Sequence, residues 1–298
     1  MMRKSSRTSA LVHITIYVGT IIVVHSFTGP RHGLLATFWG FREWPYQLAD
    51  AAIYLVAIVG TTAFLARILT HVTLTDLGLS VRGIRTMLGG IGLGLFLMSL
   101  IFVVSLLVGW IRIEQIGGTD GSLAGSLTAL SAALALQIAI AINEELIFRG
   151  YVLQRLTSAC GFRAAAVVSS ILFALVHVTN PNASIFSALA IAVPGLLLAA
   201  QWQATRSLWM PIGFHLAWNV SEGIIFGFPL SGVTGPSIVK TVNQGPDVLL
   251  GGLFGPEGGL LGIAASLVGF AVLWLGLRSR SRAGAGALPI QKGGAQQI

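Results

Sequence analysis

Long apolar runs separated by short polar segments recur along the whole chain. Each run is apolar on every side, without the alternation of a barrel strand, and most are about 18 residues or longer, enough to cross a bilayer as a helix. The pattern predicts an all-α fold, a polytopic membrane helix bundle of about eight transmembrane helices. The predicted spans are 10–28, 48–69, 87–111, 124–157, 163–179, 183–204, 207–228 and 258–277.

The segments around these spans complete the predicted organisation. Residues 1–9 are expected to be a cytoplasmic N-terminal segment, 10–277 the eight-helix membrane domain, and 278–298 a disordered cytoplasmic tail. The fourth span is too long to lie wholly in hydrocarbon, so its last turns are expected to project into water. The Gly- and Pro-rich segment 229–257 predicts a loop. No small-x-small cleavage site follows the first run, so we expect a retained helix rather than a removed signal.

Composition agrees with a membrane protein and argues against nucleic acid as a partner. Hydrophobic residues make up 54% of the 298 residues and charged residues 9%, against roughly a quarter charged in soluble domains. The net charge of +8 is spread over the ends of the apolar runs instead of forming a patch. The expected surroundings are therefore a lipid bilayer. The single cysteine, Cys160, excludes an internal disulfide and a multi-cysteine metal site.

The distribution of Lys and Arg predicts the orientation. With the N-terminus inside, fourteen of these residues fall on the inner side and four on the outer side, a strong positive-inside bias. We therefore expect a multi-pass protein of the cell membrane with both termini cytoplasmic. The four outer residues are Arg31, Arg42, Arg112 and Lys240.

The glycine-rich run 89–94 lacks the Lys-Ser/Thr of a phosphate-binding loop and opens an apolar helix. It predicts close helix packing, for which small residues are suited.

Ionisable residues inside a span are costly and are therefore candidates for function. The segment 143–150 of the fourth span holds two adjacent carboxylates. Glu145 and Arg149 are four residues apart on one helical face, so they are expected to form an ion pair that offsets their burial. Glu144 points about 100° away from Glu145. It has no obvious partner and is the candidate general base.

Two further elements carry histidines. Phe173 and His177 end the fifth span, and His215 and Asn219 share a face of the seventh. Glu144 precedes residue 160, in the turn between spans four and five, by sixteen residues, and His177 follows it by seventeen, so both should lie about 25 Å from that turn. His215 would match their depth if the fourth and fifth helices extend well past the membrane surface.

The motifs Glu-Glu-x-x-x-Arg, Phe-x-x-x-His and His-x-x-x-Asn, in this order on successive membrane helices, resemble the CPBP family. This family groups prenyl-protein CaaX endopeptidases with bacterial Abi and bacteriocin-processing or immunity proteins. The matching positions are Glu144, Glu145, Arg149, Phe173, His177, His215 and Asn219. The resemblance covers about residues 140–225 and implies a peptidase core at about 124–228.

The resemblance implies an intramembrane protease acting on a membrane-associated peptide or protein, prenylated or not. Glu144 and His177 would activate a water molecule, and His215 and Asn219 would donate hydrogen bonds to the oxyanion. Glu145, Arg149 and Phe173 would be supporting residues. No cofactor is firmly implied. A second interpretation makes Glu144, His177 and His215 the ligands of a catalytic zinc, and we expect the metal-free glutamate mechanism in preference to it.

Two other classes of protein remain open at this stage. An ion-coupled transporter could use the Glu/His/Asn cluster as a proton or substrate site, although no second Glu-Glu-x-x-x-Arg segment suggests repeated halves. A non-proteolytic immunity or scaffold protein is the other class. The cavity around the four catalytic candidates is expected to open to the cytoplasmic side.

Overall fold

Long helices account for most of the chain. The computed structural model describes residues 7–29, 44–117 and 123–285. Ten α-helices and two strands follow one another in these residues. They are α1 Arg7–Thr28, α2 Trp44–Thr70, α3 Thr86–Leu107, β1 Ile111–Ile116, α4 Leu123–Glu145, α5 Leu153–Cys160, α6 Phe162–Val176, α7 Ile185–Thr205, α8 Trp209–Asn219, β2 Val239–Asn243, α9 Asp247–Leu250 and α10 Leu260–Ala285.

Seven helical stretches of the described chain are long and apolar enough to cross a membrane, which confirms the helical membrane bundle. The predicted seventh span differs from the others in length. It consists of α8 and a π-helical turn, Val220–Ile225, so it is shorter than the rest. Almost all side chains of α8 are buried within the bundle. Because protein surrounds this helix, it does not need the length of a lipid-facing span.

The fourth predicted span is one 38-residue helical stretch, Leu123–Cys160. A π-helical turn, Leu146–Val152, joins α4 to α5. The expectation that its last turns project into water is wrong for residues 153–156, which are buried. Gln154 donates to the carbonyl oxygen of Leu77 at 2.7 Å, and Tyr151 stacks on Tyr17 of α1 with ring centroids 4.0 Å apart. The loop 71–85, which contains Leu77, and helix α1 therefore cover these turns.

The last helix is also longer than predicted. Because α10 continues to Ala285, residues 278–285 are helical and do not belong to a disordered tail. The rest of the predicted tail, 286–298, lies outside the described residues, as does most of the predicted N-terminal segment 1–9.

Many large apolar side chains point away from the bundle. Val56, Phe64, Leu88 and Leu107 are all more than 60% exposed. A water-soluble protein rarely shows so much apolar surface, whereas lipid tails cover it at no cost.

The glycines of α3 allow close packing against α8, as predicted from the sequence. A Cβ atom on Gly90 would lie 2.0 Å from the carbonyl oxygen of Met210, and one on Gly94 would lie 2.6 Å from that of Phe214. Gly89 and Gly92, on other faces of α3, have no atom within 4 Å of such a position. The close approach fixes the position of α8, which carries His215 and Asn219.

A small antiparallel sheet was not predicted. β1 pairs with β2 from the predicted loop 229–257, and Ile111 lies opposite Asn243. An exposed ion pair, Lys240 Nζ to Glu114 Oε2 at 2.7 Å, joins the two strands. The sheet ties the long loop to the connection between α3 and α4.

The bundle has two different ends. The "basic end" contains the loop 71–85, the turn at Gly161, the turn at 206–208 and the C-terminal part of α10; the cations there whose side chains are described are Arg7, Arg67, Arg82, Arg85, Arg155, Arg163, Arg206 and Arg278. The opposite end, called the "cavity end" below, contains loop 180–184, the β1–β2 sheet and loop 226–259. The described cations there are Arg112 and Lys240.

Candidate active site

The two adjacent glutamates lie at the junction of α4 and its π-helical turn. Such turns widen a helix locally and often occur at functional sites. Glu145 is fully buried, whereas the side chain of Glu144 is 21% exposed. One carboxylate therefore belongs to the protein interior and its neighbour to a cavity.

The predicted ion pair between Glu145 and Arg149 is present, with Nη1 2.9 Å from Oε1 and both side chains buried. Arg149 also donates through Nη2 to the carbonyl oxygen of Gly195 in α7 at 3.1 Å. Its Cζ lies 4.3 Å from the centroid of the Phe173 ring. Arg149 therefore links α4, α6 and α7, and the supporting role assigned to it stays a prediction.

His215 lies between the two carboxylates. Its Nδ1 is 2.9 Å from Glu145 Oε1, and its Nε2 is 3.8 Å from Glu144 Oε2. Because a carboxylate accepts, Nδ1 carries a proton and donates it to Glu145. A neutral His215 then has no proton on Nε2. Donation from Nε2 to an oxyanion thus requires the imidazolium form.

Asn219 is held by a residue that the sequence analysis did not single out. Its Nδ2 donates to Oε1 of Gln137 in α4 at 3.0 Å, and both side chains are buried. The amide has a second N–H, which this bond leaves for a ligand. A lone glutamine in the apolar stretch 132–142 is the signal that could have identified Gln137.

His177 occupies the 3₁₀ turn that follows α6, His177–Thr179. Its Nδ1 is 2.8 Å from the carbonyl oxygen of Phe173, so this nitrogen donates, and in the neutral ring Nε2 is an acceptor. The ring of Phe173 contacts the rings of both histidines, with centroids 4.7 Å from His177 and 6.1 Å from His215. Phe173 therefore fixes the spacing between the two imidazoles.

All four catalytic candidates line one cavity of about 150 Å³. The start of α8 lies at the level of Gly150, which faces Leu208 across a close contact. The fourth predicted span thus extends beyond the start of α8, and His215 lies at the depth of Glu144, with Nε2 3.8 Å from Oε2. Glu144 Oε2 has no hydrogen-bond partner in the described structure.

Loop residues that the sequence analysis did not select line the cavity on one side. Leu230, Ser231 and Glu257 line it, and Ser231 donates a hydrogen bond to Glu257. Burial raises the pKa of Glu257, although His177 and His215 act in the opposite direction. The backbone N–H of Glu257 donates to the buried carboxylate of Glu222 at 3.3 Å. No sequence pattern in the loop could have identified these residues.

The cavity is close to the end of the bundle that contains loop 180–184 and loop 226–259. Its lining includes His25 in the last turn of α1, Asn180 and Pro181 after α6, and the loop residues Ser231 and Glu257. The basic end, which the charge count predicts to be cytoplasmic, is the opposite one. If that orientation is kept, the prediction that the cavity opens to the cytoplasm is wrong.

The geometry also bears on the zinc interpretation. Among the described residues, no three His, Cys, Asp or Glu side chains form a group that could hold a metal ion. Glu144 and His215 approach each other, but His177 does not join them in such a group, so the donors do not fit the predicted ligand set.

Comparison with known protein families gives a match to part of the chain. Residues 126–221 match the family model described as "Rce1-like: Type II CAAX prenyl endopeptidase Rce1-like". The matched segment runs from α4 into the π-helical turn after α8 and contains all seven motif residues. No curated protein and no solved structure matches the chain.

Proposed function

Since residues 126–221 match the family of Rce1-like type II CAAX prenyl endopeptidases, we propose that the chain hydrolyses a peptide bond with Glu144 as the general base. One observation carries the proposal. Glu144 presents a carboxylate oxygen without a hydrogen-bond partner to a cavity that also holds His177, His215 and Asn219. A base in this position can take a proton from water.

The proposed reaction proceeds in two steps. A water molecule between Glu144 and Nε2 of His177 gives a proton to Glu144 as its oxygen forms a bond to the scissile carbonyl carbon. The negative charge that develops on the carbonyl oxygen accepts hydrogen bonds from Nε2–H of the His215 imidazolium and from the free N–H of Asn219. Glu144 then passes its proton to the leaving nitrogen as the C–N bond breaks.

Glu145 and Arg149 act through their neighbours in this proposal. Glu145 keeps the Nδ1 proton on His215 and thereby directs Nε2 into the cavity. Arg149 balances the charge of Glu145, and its guanidinium packs against the face of the Phe173 ring. Both are positioning residues that do not touch the substrate.

The test is cleavage of membrane-anchored peptides by the reconstituted protein. The peptides include a prenylated CaaX peptide and the same sequence without the lipid, so the assay also asks what the substrate class is. Glu144→Gln keeps the shape of the side chain but cannot take a proton, so cleavage should fall about 100- to 10,000-fold while the folded protein persists. Glu114→Gln, a change of the same kind on exposed β1, is the matched control and should leave cleavage unchanged.

Unchanged cleavage by Glu144→Gln would contradict the role of Glu144. The same assay with a chelator separates the two mechanisms. Full activity after metal removal supports the glutamate mechanism, whereas loss of activity that returns with added zinc supports the metal.

A further inference from the structure

The position of the cavity along the bundle restricts where a substrate can come from. On α6 the active-site histidine is in the terminal turn, 177–179, far from the start of that helix at Phe162. On α1 and α7 the lining residues include His25 and Ile191, which are nearer to the cavity end than to the basic end. Loops 180–184 and 226–259 supply the remaining wall. The cavity is thus next to the loops of one end only.

The structure is closed between the cavity and the basic end. Directly beneath Glu144 lie Glu145 and Arg149, both fully buried, and the buried ring of Phe173. Below them the turn Leu146–Val152 is also buried along its whole length. A polypeptide approaching from the basic end would have to break this buried ion pair and leave each charge without its partner, which is strongly unfavourable.

The described cations gather at the end away from the cavity. Eight of them are at the basic end, against Arg112 and Lys240 at the cavity end. Short loops rich in Lys and Arg stay in the cytoplasm. The end that holds the cavity is therefore the one that this rule assigns to the outer side.

From these observations we infer that the active-site cavity opens to the extracytoplasmic side, and that its substrate is an exported or membrane-spanning polypeptide cleaved near the outer face. This inference rests on the proposed function and gives it a substrate class. A lipid-modified protein that remains in the cytosol would present its C-terminus to the closed end. Apolar walls formed by Ile191, Leu198, Phe214 and Trp218 suit the side chains of a membrane segment.

The side of the cavity can be tested without any substrate. The native Cys160 is exposed at the basic end and reports that side. In a Cys160→Ser background, Thr234→Cys places a thiol on the exposed loop of the cavity end, and Thr75→Cys is the matched change at the basic end. Ser231→Cys in the same background places a thiol in the cavity wall.

A membrane-impermeant maleimide is applied to intact cells and to inside-out vesicles. We expect Thr234→Cys and Ser231→Cys to react in intact cells, and Cys160 and Thr75→Cys to react only in inside-out vesicles. Reaction of Ser231→Cys only in inside-out vesicles would overturn the inference.

A second arm tests the substrate class. One apolar reporter segment is anchored in the membrane in two orientations, with its scissile region near the outer or the inner face. Cleavage of the outer form alone, lost in Glu144→Gln, supports the inference, and cleavage of the inner form alone overturns it. If Ser231→Cys reacts from outside but Glu144→Gln cleaves as well as the native protein, the proposed function fails together with the substrate class, while the side of the cavity stands.

Discussion

Glu144 and Glu145 are neighbours in the chain with different surroundings. Glu145 accepts from both Arg149 and His215, so its charge is compensated in the interior. Glu144 lines the cavity, and its Oε2 lies 3.8 Å from Nε2 of His215. The difference of about 100° per residue along an α-helix is enough to give adjacent carboxylates separate roles.

Asn219 offers a test of oxyanion stabilisation at the residue scale. Asn219→Ala removes one hydrogen-bond donor and should lower kcat about 100- to 1,000-fold, less than the full effect of losing the base. Steady-state kinetics on the cleaved peptide would measure it. Equal losses in Asn219→Ala and in Asn219→Asp, which keeps the size of the side chain but not the N–H, would fit the role. Full activity of Asn219→Asp would contradict it.

At the scale of elements, Arg149 connects three helices through an ion pair, a hydrogen bond to Gly195 and the face of Phe173. Arg149→Ala leaves Glu145 buried without its cation, which should cost roughly 3–5 kcal/mol and reduce the amount of folded protein as well as activity. Thermal unfolding in detergent, with exposed Arg82→Ala as control, measures the loss. Wild-type stability combined with no turnover would instead assign Arg149 a direct part in the chemistry.

The contact of α3 with α8 gives a second test at this scale. A methyl group at Gly94 would meet the backbone of α8, so Gly94→Ala should push away the helix that carries His215 and Asn219. We expect a loss of about 1–3 kcal/mol and slower cleavage. Gly92→Ala, two residues away and facing open space, is the matched control and should behave like the native protein. Equal effects of the two changes on thermal unfolding would argue against close packing as the cause.

For the whole molecule, α8 with its π-helical turn and the seven longer helical stretches make eight passes between the two ends, so the start of α1 and the end of α10 both lie at the basic end. We expect both termini in the cytoplasm and Lys240 outside, because Lys and Arg favour the inner side. Reporter domains that are active on only one side of the membrane, fused at Lys240 or at the C-terminal tail, would measure this. If both fusions report the same side, the topology is wrong.

Much of the fold could be predicted because membrane helices are encoded locally. A run of apolar residues must satisfy its own backbone hydrogen bonds in lipid, so its existence and approximate length follow from the run itself. The ion pair of Glu145 with Arg149 follows from helical spacing, and the close contact of α3 follows from its glycines. In both cases the sequence signal is local. The two partners of the ion pair are four residues apart, and the small residues that permit the close contact lie in one short run.

Other features depend on residues that are distant in sequence, and only the tertiary structure decided them. β1 and β2 pair across more than a hundred residues, and the bonds of His215 to Glu145 and of Asn219 to Gln137 join separate helices. The sequence determined the membrane bundle and its charge asymmetry. It also identified the polar residues whose burial in a membrane span is costly and therefore indicates a function. Which nitrogen of His215 faces the cavity, which loops enclose it and at which end it lies depended on how the helices pack, because local patterns do not encode the contacts between them.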